Sequence, residues 1–325
     1  MRWLLTLIGL IAVVGLVGYF VLKRPDIPYE TLAARYESAA SRYVDLPSGV
    51  RMHYRDEGDP EAPAIVLLHG FSSSLHTWEP WSERLTDMYR VISLDLPGHG
   101  LTRAPAGYQG SIDAFVEAVA QFAETQGLDQ FAIAGNSMGG HVAWEYTLAH
   151  PEQVNALILV DAAGWEPTGE SANEPIIFKL LRNPVSRAVL RDLDNTALVR
   201  QGLQASFSDQ SLVTDEMVTR YVDLARAPGH RDILLQIMTR PRNYATPERL
   251  SQITAPTLII HGDQDNLIPP SAAQQFNDAI AGSDMLLIEG VGHLPQEEAP
   301  DASAQEARDL VFRVIEGSAL APVTE

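Results

Sequence analysis

The chain alternates between short, uninterrupted apolar runs and longer amphipathic segments, and this alternation constrains its fold more than any other feature. Short continuous apolar runs are typical of strands that are buried on both faces of a parallel sheet. We therefore predict an alternating strand at 50–55 and buried strands at 64–68, 91–94, 131–134, 157–160, 257–260 and 285–288. Amphipathic segments between them predict helices at 78–88, 111–126, 138–150, 271–281 and 301–316, with Ser111 and Ser271 as N-caps of two of them. This order of elements predicts an α/β fold with a doubly wound, mostly parallel sheet.

One interval interrupts the alternation. Between residues 165 and 250 the sequence holds no convincing strand, only helical segments divided by prolines. The interval is too long for an ordinary crossover between parallel strands. We interpret it as a helical cap at 165–250, inserted between a first core part at 43–164 and a second at 251–317. A loose tail is expected at 318–325.

The N-terminus is apolar: residues 3–22 carry no charged side chain, and Lys23 and Arg24 follow them. A helix of about 20 residues spans about 30 Å, the thickness of the hydrocarbon core of a bilayer. The segment is longer than the apolar core of a signal peptide, and no small-residue cleavage site follows it. We predict a transmembrane anchor at 1–24 and a polar juxtamembrane segment at 25–42, which is helical from residue 29 to residue 42.

Two further expectations concern this anchor. The small residues Gly9, Gly15 and Gly18 would let two such helices approach, so the sequence allows a homodimer through the transmembrane helix. Positive charges on its two sides are nearly balanced, and a short N-terminus before one span favours a soluble part outside. We expect a single-pass protein of a bacterial inner membrane with its soluble domain on the periplasmic side.

The sharpest chemical signal is at residues 135–139, which read Gly-Asn-Ser-Met-Gly between the predicted strand 131–134 and the predicted helix 138–150. Strand, Gly-x-Ser-x-Gly and helix together form the context of a nucleophile elbow, which raises the Ser hydroxyl on a strained turn. The backbone N–H of Met138, at the start of the helix, would meet a developing oxyanion. We predict Ser137 as a nucleophile and Met138 as an oxyanion donor.

A Ser hydroxyl needs a base, and the base needs an orienting acid. Of the nine His residues, His293 is the best placed, because it lies in a glycine-flanked loop after the last predicted strand. Asp265 is favoured as the acid because it lies deeper than Asp263 in the turn after strand 257–260. Asp161, at the end of another strand, is a more distant competitor. The order Ser, Asp, His along the chain is the one expected on a sheet of this kind.

The loop after the strand at 64–68 is expected to supply the second oxyanion donor. It turns sharply at Gly70, and the backbone N–H of Phe71 is the candidate. We interpret His69 and the loop at 95–100 as structural, and we expect Glu297 and Glu298 to be solvated. Six further His residues show no metal-binding spacing, and we expect each to be a surface or hydrogen-bonded residue and not a metal ligand: His53, His76, His141, His150, His230 and His261.

Composition excludes several classes of protein. The chain has 23 Lys and Arg against 42 Asp and Glu, a formal net charge of −19, which argues against a nucleic-acid partner. The absence of Cys removes disulfides, thiolate metal sites and a Cys nucleophile. No metal or organic cofactor is expected.

Together these motifs resemble the α/β-hydrolase superfamily. The matching pieces lie at 69–71, 95–100, 135–140, 262–265 and 292–293, within a region from about 43 to 316. The resemblance implies an α/β-hydrolase fold with a helical cap, and the family's Gly-x-x-Asp pattern maps its acid onto Asp265. Ser137 argues against the dehalogenases and epoxide hydrolases of the superfamily, which carry Asp at that position.

Within the superfamily, the loop at 69–71, the elbow and the N-terminal span resemble membrane-anchored monoacylglycerol lipases and bacterial single-pass phospholipase A enzymes. The resemblance implies a serine ester hydrolase that acts on lipid acyl esters. The elbow is equally similar to that of carbon–carbon bond hydrolases of aromatic catabolism, which usually carry Trp where this chain has Leu294. A non-catalytic binding protein with this fold is the third alternative.

Overall fold

The computed structural model describes residues 2–166, 183, 186–187, 191–240 and 243–320, without the side chains of 318–320 and of part of the first helix. Within these residues, eight strands form one sheet: β1 Ser41–Asp45, β2 Arg51–Glu57, β3 Ala64–Leu68, β4 Arg90–Leu94, β5 Phe131–Asn136, β6 Val154–Val160, β7 Thr257–Gly262 and β8 Asp284–Ile288. Their order is β1-β2-β4-β3-β5-β6-β7-β8. The β1–β2 and β2–β4 pairs are antiparallel and the other pairs are parallel, which confirms the mostly parallel sheet.

Helices cover both faces of this sheet. The described α-helices are α1 Arg2–Leu22, α2 Tyr29–Tyr36, α3 Glu79–Leu85, α4 Ile112–Gln126, α5 Met138–Ala149, α6 Thr196–Ser206, α7 Asp215–Ala225, α8 His230–Thr239, α9 Pro247–Leu250, α10 Ser271–Ala279, α11 Pro295–Glu298 and α12 Pro300–Leu320. Phe115 of α4, Trp144 of α5 and Phe276 of α10 are buried in one apolar cluster with the sheet. Trp81 of α3 and Leu310 of α12 are buried in a second cluster on the opposite face. The fold is therefore doubly wound, as predicted.

The first strand is where the sequence prediction is wrong. We expected a helix through residue 42, but α2 ends at Tyr36 and Glu37 is extended, with φ −71° and ψ 148°. Ser41–Asp45 then forms β1, which pairs only with β2 at the edge of the sheet. An edge strand is half-exposed, so it lacks the uninterrupted apolar run by which the central strands were found. The tail prediction is also partly wrong, because α12 continues to Leu320.

The two predicted N-caps behave differently. The hydroxyl of Ser111 accepts a hydrogen bond from the N–H of Ala114 at 3.1 Å, which confirms it as the cap of α4. Ser271 does not cap α10, because Pro270 holds that position and Ser271 is already the first helical residue. Pro270 has φ −55° and ψ −20°, so the fixed φ of proline starts the turn one residue early.

The N-terminal apolar segment forms α1, in agreement with the predicted helical extent. Among the described residues, no helix combines the length and the apolarity that crossing a bilayer requires. The transmembrane assignment therefore stays a prediction. In the predicted cap interval, the described residues form α6 to α9 and no strand, whereas residues 167–182 of that interval and 321–325 of the tail lie outside the described part.

The segment after α1 is bound to the cap interval. The N–H of Arg24 donates to the carbonyl of Asp192 at 2.7 Å, and the N–H of Asp194 donates to the carbonyl of Leu22 at 2.8 Å. The guanidinium of Arg24 also pairs with the Asp194 carboxylate at 2.8 Å. Further along, Arg231 of α8 pairs with Asp26 at 2.5 Å. These contacts fix the end of α1 against residues 192–194.

Asp95 organises the loop that follows β4. Its buried carboxylate accepts hydrogen bonds from the N–H groups of Leu75 and Leu101, both at 2.8 Å, and lies 2.6 Å from Nδ1 of His53. A Cβ at Gly100 would lie 1.9 Å from this carboxyl group, so only glycine fits there. Burial raises the pKa of Asp95, but the hydrogen bond and charge of His53 outweigh burial and hold that pKa well below its usual range.

We expect Asp95→Asn to lower the free energy of unfolding at pH 7 by about 2 to 4 kcal/mol, because it weakens a buried, charge-assisted network. Since the folded pKa of Asp95 is depressed, its contribution is present above an unfolded pKa of about 3.9 and is lost as the pH falls below it. Urea unfolding at pH 7 and pH 3.5 measures this difference. The exposed Asp129→Asn is the control, and equal stabilities of wild type and Asp95→Asn at pH 7 would contradict the assignment.

Candidate active site

Ser137 occupies the turn between β5 and α5 in a strained backbone conformation, with φ 54° and ψ −116°. Such a conformation in a residue with a side chain costs of order 1–3 kcal/mol and persists only where its surroundings enforce it. The N–H of Ser137 donates to the carbonyl of Val160 at 3.0 Å, and its own carbonyl accepts from the N–H of Ala163 at 3.0 Å. The end of β6 thus holds Ser137 in the geometry predicted for a nucleophile elbow.

The glycines around Ser137 are required by close backbone contacts. A Cβ at Gly139 would lie 2.1 Å from the carbonyl oxygen of Leu68 in β3, and one at Gly135 would lie 2.2 Å from the carbonyl oxygen of Gly139. Both distances are far shorter than any real carbon–oxygen contact. The start of α5 therefore packs directly on the ends of β3 and β5, which leaves Ser137 at the carboxyl edge of the sheet.

The predicted base and acid lie in direct contact. Nδ1 of His293 is 2.6 Å from Oδ2 of Asp265, and both side chains are buried. The other carboxylate oxygen of Asp265 accepts from the N–H groups of Leu267 and Ile268 at 2.7 and 3.1 Å. Burial raises the pKa of Asp265, but the hydrogen bond to His293 and these N–H groups outweigh burial and lower it overall. An ionised Asp265 holds the proton on Nδ1, which leaves Nε2 of His293 free to act as a base.

Asn136 occupies a position at which the Gly-x-Ser-x-Gly motif accepts any residue. In the structure it connects the elbow of Ser137 to the loop of His293. Its side-chain amide donates to the carbonyl of His293 at 3.1 Å and to the carbonyl of Val160 at 3.2 Å. The loop that carries His293 is thereby fixed to the residue preceding Ser137. No sequence signal marks this role, because the Gly-x-Ser-x-Gly pattern accepts any residue there.

The loop after β3 lies close to Ser137. A Cβ at Gly70 would lie 3.3 Å from Cβ of Ser137. The N–H of Phe71 makes no backbone hydrogen bond within the part of the chain that the structure describes. The N–H of Met138 stands in the first turn of α5, where helices leave such groups without an intrahelical partner. The two predicted oxyanion donors thus follow Gly70 and Ser137 directly in the chain, and their role stays a prediction.

His69 supports this loop. Its Nε2 accepts from the N–H of Leu96 at 3.0 Å, so its Nδ1 carries the proton and donates to the carbonyl of Gly70 at 2.7 Å. Burial lowers the pKa of His69, which keeps the ring neutral. Ser72, two residues after Gly70, has φ 60°, so the loop is strained next to the nucleophile as well. The structural role predicted for His69 agrees with these contacts.

Glu298 was expected to be solvated, and the structure shows otherwise. Its carboxylate accepts from the N–H of Gly292 at 2.7 Å and from the N–H of Asp209 at 2.7 Å. The N–H of His293 donates to the carbonyl of Ser206 at 2.7 Å. The loop of the base is therefore bound to the end of α6. The sequence does not indicate that Glu298 makes this connection, because an acidic residue in a short helix usually faces solvent.

Glu297 is likewise not solvated. The hydroxyl of Thr77 donates to its carboxylate at 2.5 Å and accepts from the side-chain amide of Gln296 at 2.9 Å. Burial raises the pKa of Glu297 to about 7. This residue connects α11, which follows the His293 loop, to the segment before α3.

A cavity of about 290 Å³ lies beside the oxyanion loop. Phe71 and Ser72 form its wall on the core side, and residues of the cap interval form the rest. Most of the cap-side residues are apolar: Leu193, Leu198, Ala225, Leu234, Leu235 and Met238. The volume is near the lower end of about 300–1,000 Å³ that small-molecule sites usually occupy. The cavity can hold an apolar group next to Phe71.

One group of side chains in the described part of the chain has the donor types of a metal centre: Asp161, His261 and Asp265. Asp265 already accepts from His293 and from two backbone N–H groups, and Nε2 of His261 lies 3.0 Å from the carbonyl of Ile268. Two members of the group are therefore already bound to protein partners, whereas Oδ2 of Asp161 is buried without one in the part of the chain that the structure describes.

The geometry and the topology define the class of protein. The profile of the alpha/beta hydrolase fold family matches residues 63–300, more than half of the chain. The chain therefore belongs to the α/β-hydrolase family, most of whose members are hydrolases.

Three known proteins are similar to the chain over most of its length. The chain is 28% identical over 267 residues to the monoacylglycerol lipase ABHD6 of Bos taurus, across 80% of this chain and 79% of that protein. It is also 28% identical over 286 residues to a 2-hydroxy-6-oxononadienedioate/2-hydroxy-6-oxononatrienedioate hydrolase of Klebsiella pneumoniae, across 85% of this chain and 97% of that protein. The crystal structure of a membrane phospholipase A, a bacterial virulence factor, superposes with a TM-score of 0.71 at 28% identity, across 96% of this chain and 98% of the other.

We expect Gly139→Ala to lower the free energy of unfolding by about 2 to 4 kcal/mol, since overpacking and backbone shifts cost about this much where nothing can move aside. The control is Gly202→Ala in α6, where a Cβ would meet nothing within 4 Å. That change is expected to stabilise by up to about 1 kcal/mol, the helix propensity of Ala over Gly. Urea unfolding measures both, and an unaltered stability of Gly139→Ala would refute the close contact with Leu68.

Proposed function

We propose that this protein is a serine carboxylic ester hydrolase that uses Ser137, His293 and Asp265. The observation that carries the proposal is the buried 2.6 Å contact between His293 and Asp265, on a loop fixed by Asn136 to the elbow of Ser137. This is the arrangement that makes a Ser hydroxyl nucleophilic. The family membership supports the same reaction class.

In the proposed reaction, Oγ of Ser137 attacks the ester carbonyl while Nε2 of His293 accepts its proton. Asp265 stabilises the imidazolium that forms, and the N–H groups of Phe71 and Met138 stabilise the oxyanion. The tetrahedral intermediate collapses to an acyl-enzyme, and His293 passes the proton to the leaving alcohol. Water, deprotonated by His293, then attacks the acyl carbon and releases the acid and Ser137. Losing one oxyanion donor typically costs about 3 kcal/mol of transition-state stabilisation.

The substrates we propose are lipid acyl esters: glycerophospholipids, lysophospholipids or monoacylglycerols. An acyl chain needs an apolar site beside the oxyanion loop, and the cavity at Phe71 is largely apolar. Leu193 and Asp194 line this cavity, and the N–H of Asp194 donates to the carbonyl of Leu22, the last residue of α1. The cavity therefore lies close to the end of the apolar N-terminal helix. A monoacylglycerol lipase and a membrane phospholipase A stand among the relatives at 28% identity.

We propose further that α1 anchors the protein in a bacterial inner membrane, with the hydrolase domain on the periplasmic side. The uncharged sequence of residues 3–22 and the helical extent of α1 support an anchor. Side chains along α1, among them Leu10, Val13 and Phe20, are exposed and apolar. A Cβ at Gly15 or Gly18 would meet nothing within 4 Å, so this face leaves room for a second copy of the helix.

A second candidate function is carbon–carbon bond hydrolysis of an aromatic ring-cleavage product. It is favoured by the Klebsiella pneumoniae hydrolase, which matches this chain at the same 28% identity and over 97% of its own length. The same nucleophile, base and acid would serve that reaction. Leu294, after the base, stands where those enzymes usually carry Trp, and this difference favours the lipid ester.

We expect wild type to hydrolyse long-chain lipid esters and Ser137→Ala to lose about four to six orders of magnitude in kcat/KM, the loss seen when a triad nucleophile is removed. A panel of phospholipids, lysophospholipids, monoacylglycerols, short soluble esters and a ring-cleavage product measures this, with the exposed Ser48→Ala as the control. A fluorophosphonate probe should label wild type and Ser48→Ala, but not Ser137→Ala.

Each other outcome selects a different function. Turnover of the ring-cleavage product without lipid turnover identifies the carbon–carbon bond hydrolase. Turnover of short soluble esters without lipid turnover identifies an esterase that does not act on lipids. A wild type that is neither labelled nor active on any of these substrates is the result expected of a non-catalytic binding protein.

The anchor is tested separately. We expect the full-length protein to remain in the membrane fraction after carbonate washing, and its intact mass to include Met1–Leu22, because an uncleaved apolar helix is not extracted by high pH. Protein released by carbonate, or a mass that lacks this segment, would contradict the anchor and leave the hydrolase proposal unaffected.

A further inference from the structure

Asp161 is a buried carboxylate that the reaction described above does not use. It follows β6 directly and is fully inaccessible to solvent. Its backbone has φ 44°, in the left-handed region that non-glycine residues rarely adopt. Its N–H donates to the carbonyl of Ile260 in β7 at 2.9 Å. The fold thus holds this residue in a strained conformation that directs it into the core between β6 and β7.

The carboxylate of Asp161 lies beside the proposed acid of the site. Carboxylate oxygens of Asp161 and Asp265 and a ring nitrogen of His261 all lie within 4.8 Å of one another. Oδ1 of Asp161 accepts from the N–H of Gly262 at 3.1 Å. Its Oδ2 is buried and has no hydrogen-bond partner among the described residues. An oxygen in this situation is satisfied if it carries a proton and donates it.

The groups that face Asp161 give no compensating positive charge. Burial lowers the pKa of His261, which keeps that ring neutral, and its Nε2 lies 3.4 Å from Oδ1 of Asp161. Asp265 is ionised and lies in contact with His293. Glu298 adds a further negative charge nearby. Two carboxylates this close in a dry interior cannot both ionise, and burial together with the charge of Asp265 raises the pKa of Asp161 well above its usual range.

We propose that Asp161 is a positioning residue of the active site: it stays protonated and donates a hydrogen bond to Asp265, which holds that carboxylate against His293. The inference rests on the proposed function, since it concerns how the acid of that site is held. Asp265 then accepts hydrogen bonds from His293, from two backbone N–H groups and from Asp161. It keeps the negative charge that stabilises the imidazolium. Asp161 touches no substrate and acts only through Asp265.

Two substitutions separate this role from a merely structural one. Asp161→Asn keeps a donor for Asp265 and an acceptor for Gly262, and Asn tolerates a positive φ. Asp161→Ala removes the donor. We expect Asp161→Asn to keep the fluorophosphonate labelling rate within about threefold of wild type. We expect Asp161→Ala to lower it about tenfold to a hundredfold, the loss of a hydrogen bond to a charged group at about 1.4 kcal/mol per decade.

The second readout is stability against pH, which needs no substrate. A group whose folded pKa is raised contributes stability below its unfolded pKa of about 3.9, and this contribution is lost as the pH rises toward the folded pKa. We therefore expect the unfolding equilibrium constant of wild type, relative to Asp161→Asn, to rise about tenfold per pH unit between pH 5 and the folded pKa. The exposed Asp129→Asn is the control and should show no such trend.

Three results would overturn the proposal. The first is a stability difference between wild type and Asp161→Asn that does not change with pH. The second is equal labelling rates for Asp161→Ala and Asp161→Asn. The third is a wild-type Tm that rises with added Zn²⁺ or Ca²⁺ while that of Asp161→Asn does not, since a cation would then fill the place of the proton. If lipid turnover were absent but labelling and the pH trend were as expected, only the proposed substrate would fail.

Discussion

The packing of the backbone at residues 135–140 is the constraint on which the site depends. There β3, β5 and the start of α5 approach so closely that Gly139 contacts the carbonyl of Leu68, and no side chain fits between them. Ser137, in the turn between β5 and α5, has a positive φ within this close packing. Gly70 lies beside Ser137, so the loop after β3 and Ser137 are positioned by one set of contacts. The strain is sustained because the apolar clusters on both faces of the sheet hold these strands together.

Three buried carboxylates of the described core differ in how many hydrogen-bond donors surround them. Asp95 and Asp265 each receive two backbone N–H groups and one imidazole, and both have lowered pKa values despite burial. Asp161 accepts a hydrogen bond from one backbone N–H and lies next to the negative charge of Asp265, so its pKa is raised. The number of donors, more than the depth of burial, separates these three residues.

The sequence predicts the parts of this protein whose physics is local or periodic. Uninterrupted apolar runs identify the central strands because those strands are buried on both faces, whereas β1, at the half-exposed edge, has no such run. The elbow and the contact between Asp265 and His293 were predictable, because the glycines and the strand ends that position them are visible in the sequence. Asn136 and Glu298 were not, because their importance comes from contacts with His293 and Asp209, which are distant in sequence. Ser271 failed as a cap because the preceding Pro270 begins the helical turn itself.

The binding of the His293 loop to α6 has a mechanical consequence. Gly292 and His293 are attached to residues 206–209 through the Glu298 carboxylate and the Ser206 carbonyl, and a Cβ at Gly292 would lie 2.5 Å from that carbonyl oxygen. A displacement of α6 away from the sheet must therefore either break these bonds or carry the imidazole with it. Leu198 of α6 also lines the cavity beside Phe71, so one helix contacts both the cavity and the His293 loop. A molecule that displaced α6 on entering the cavity would therefore also shift His293.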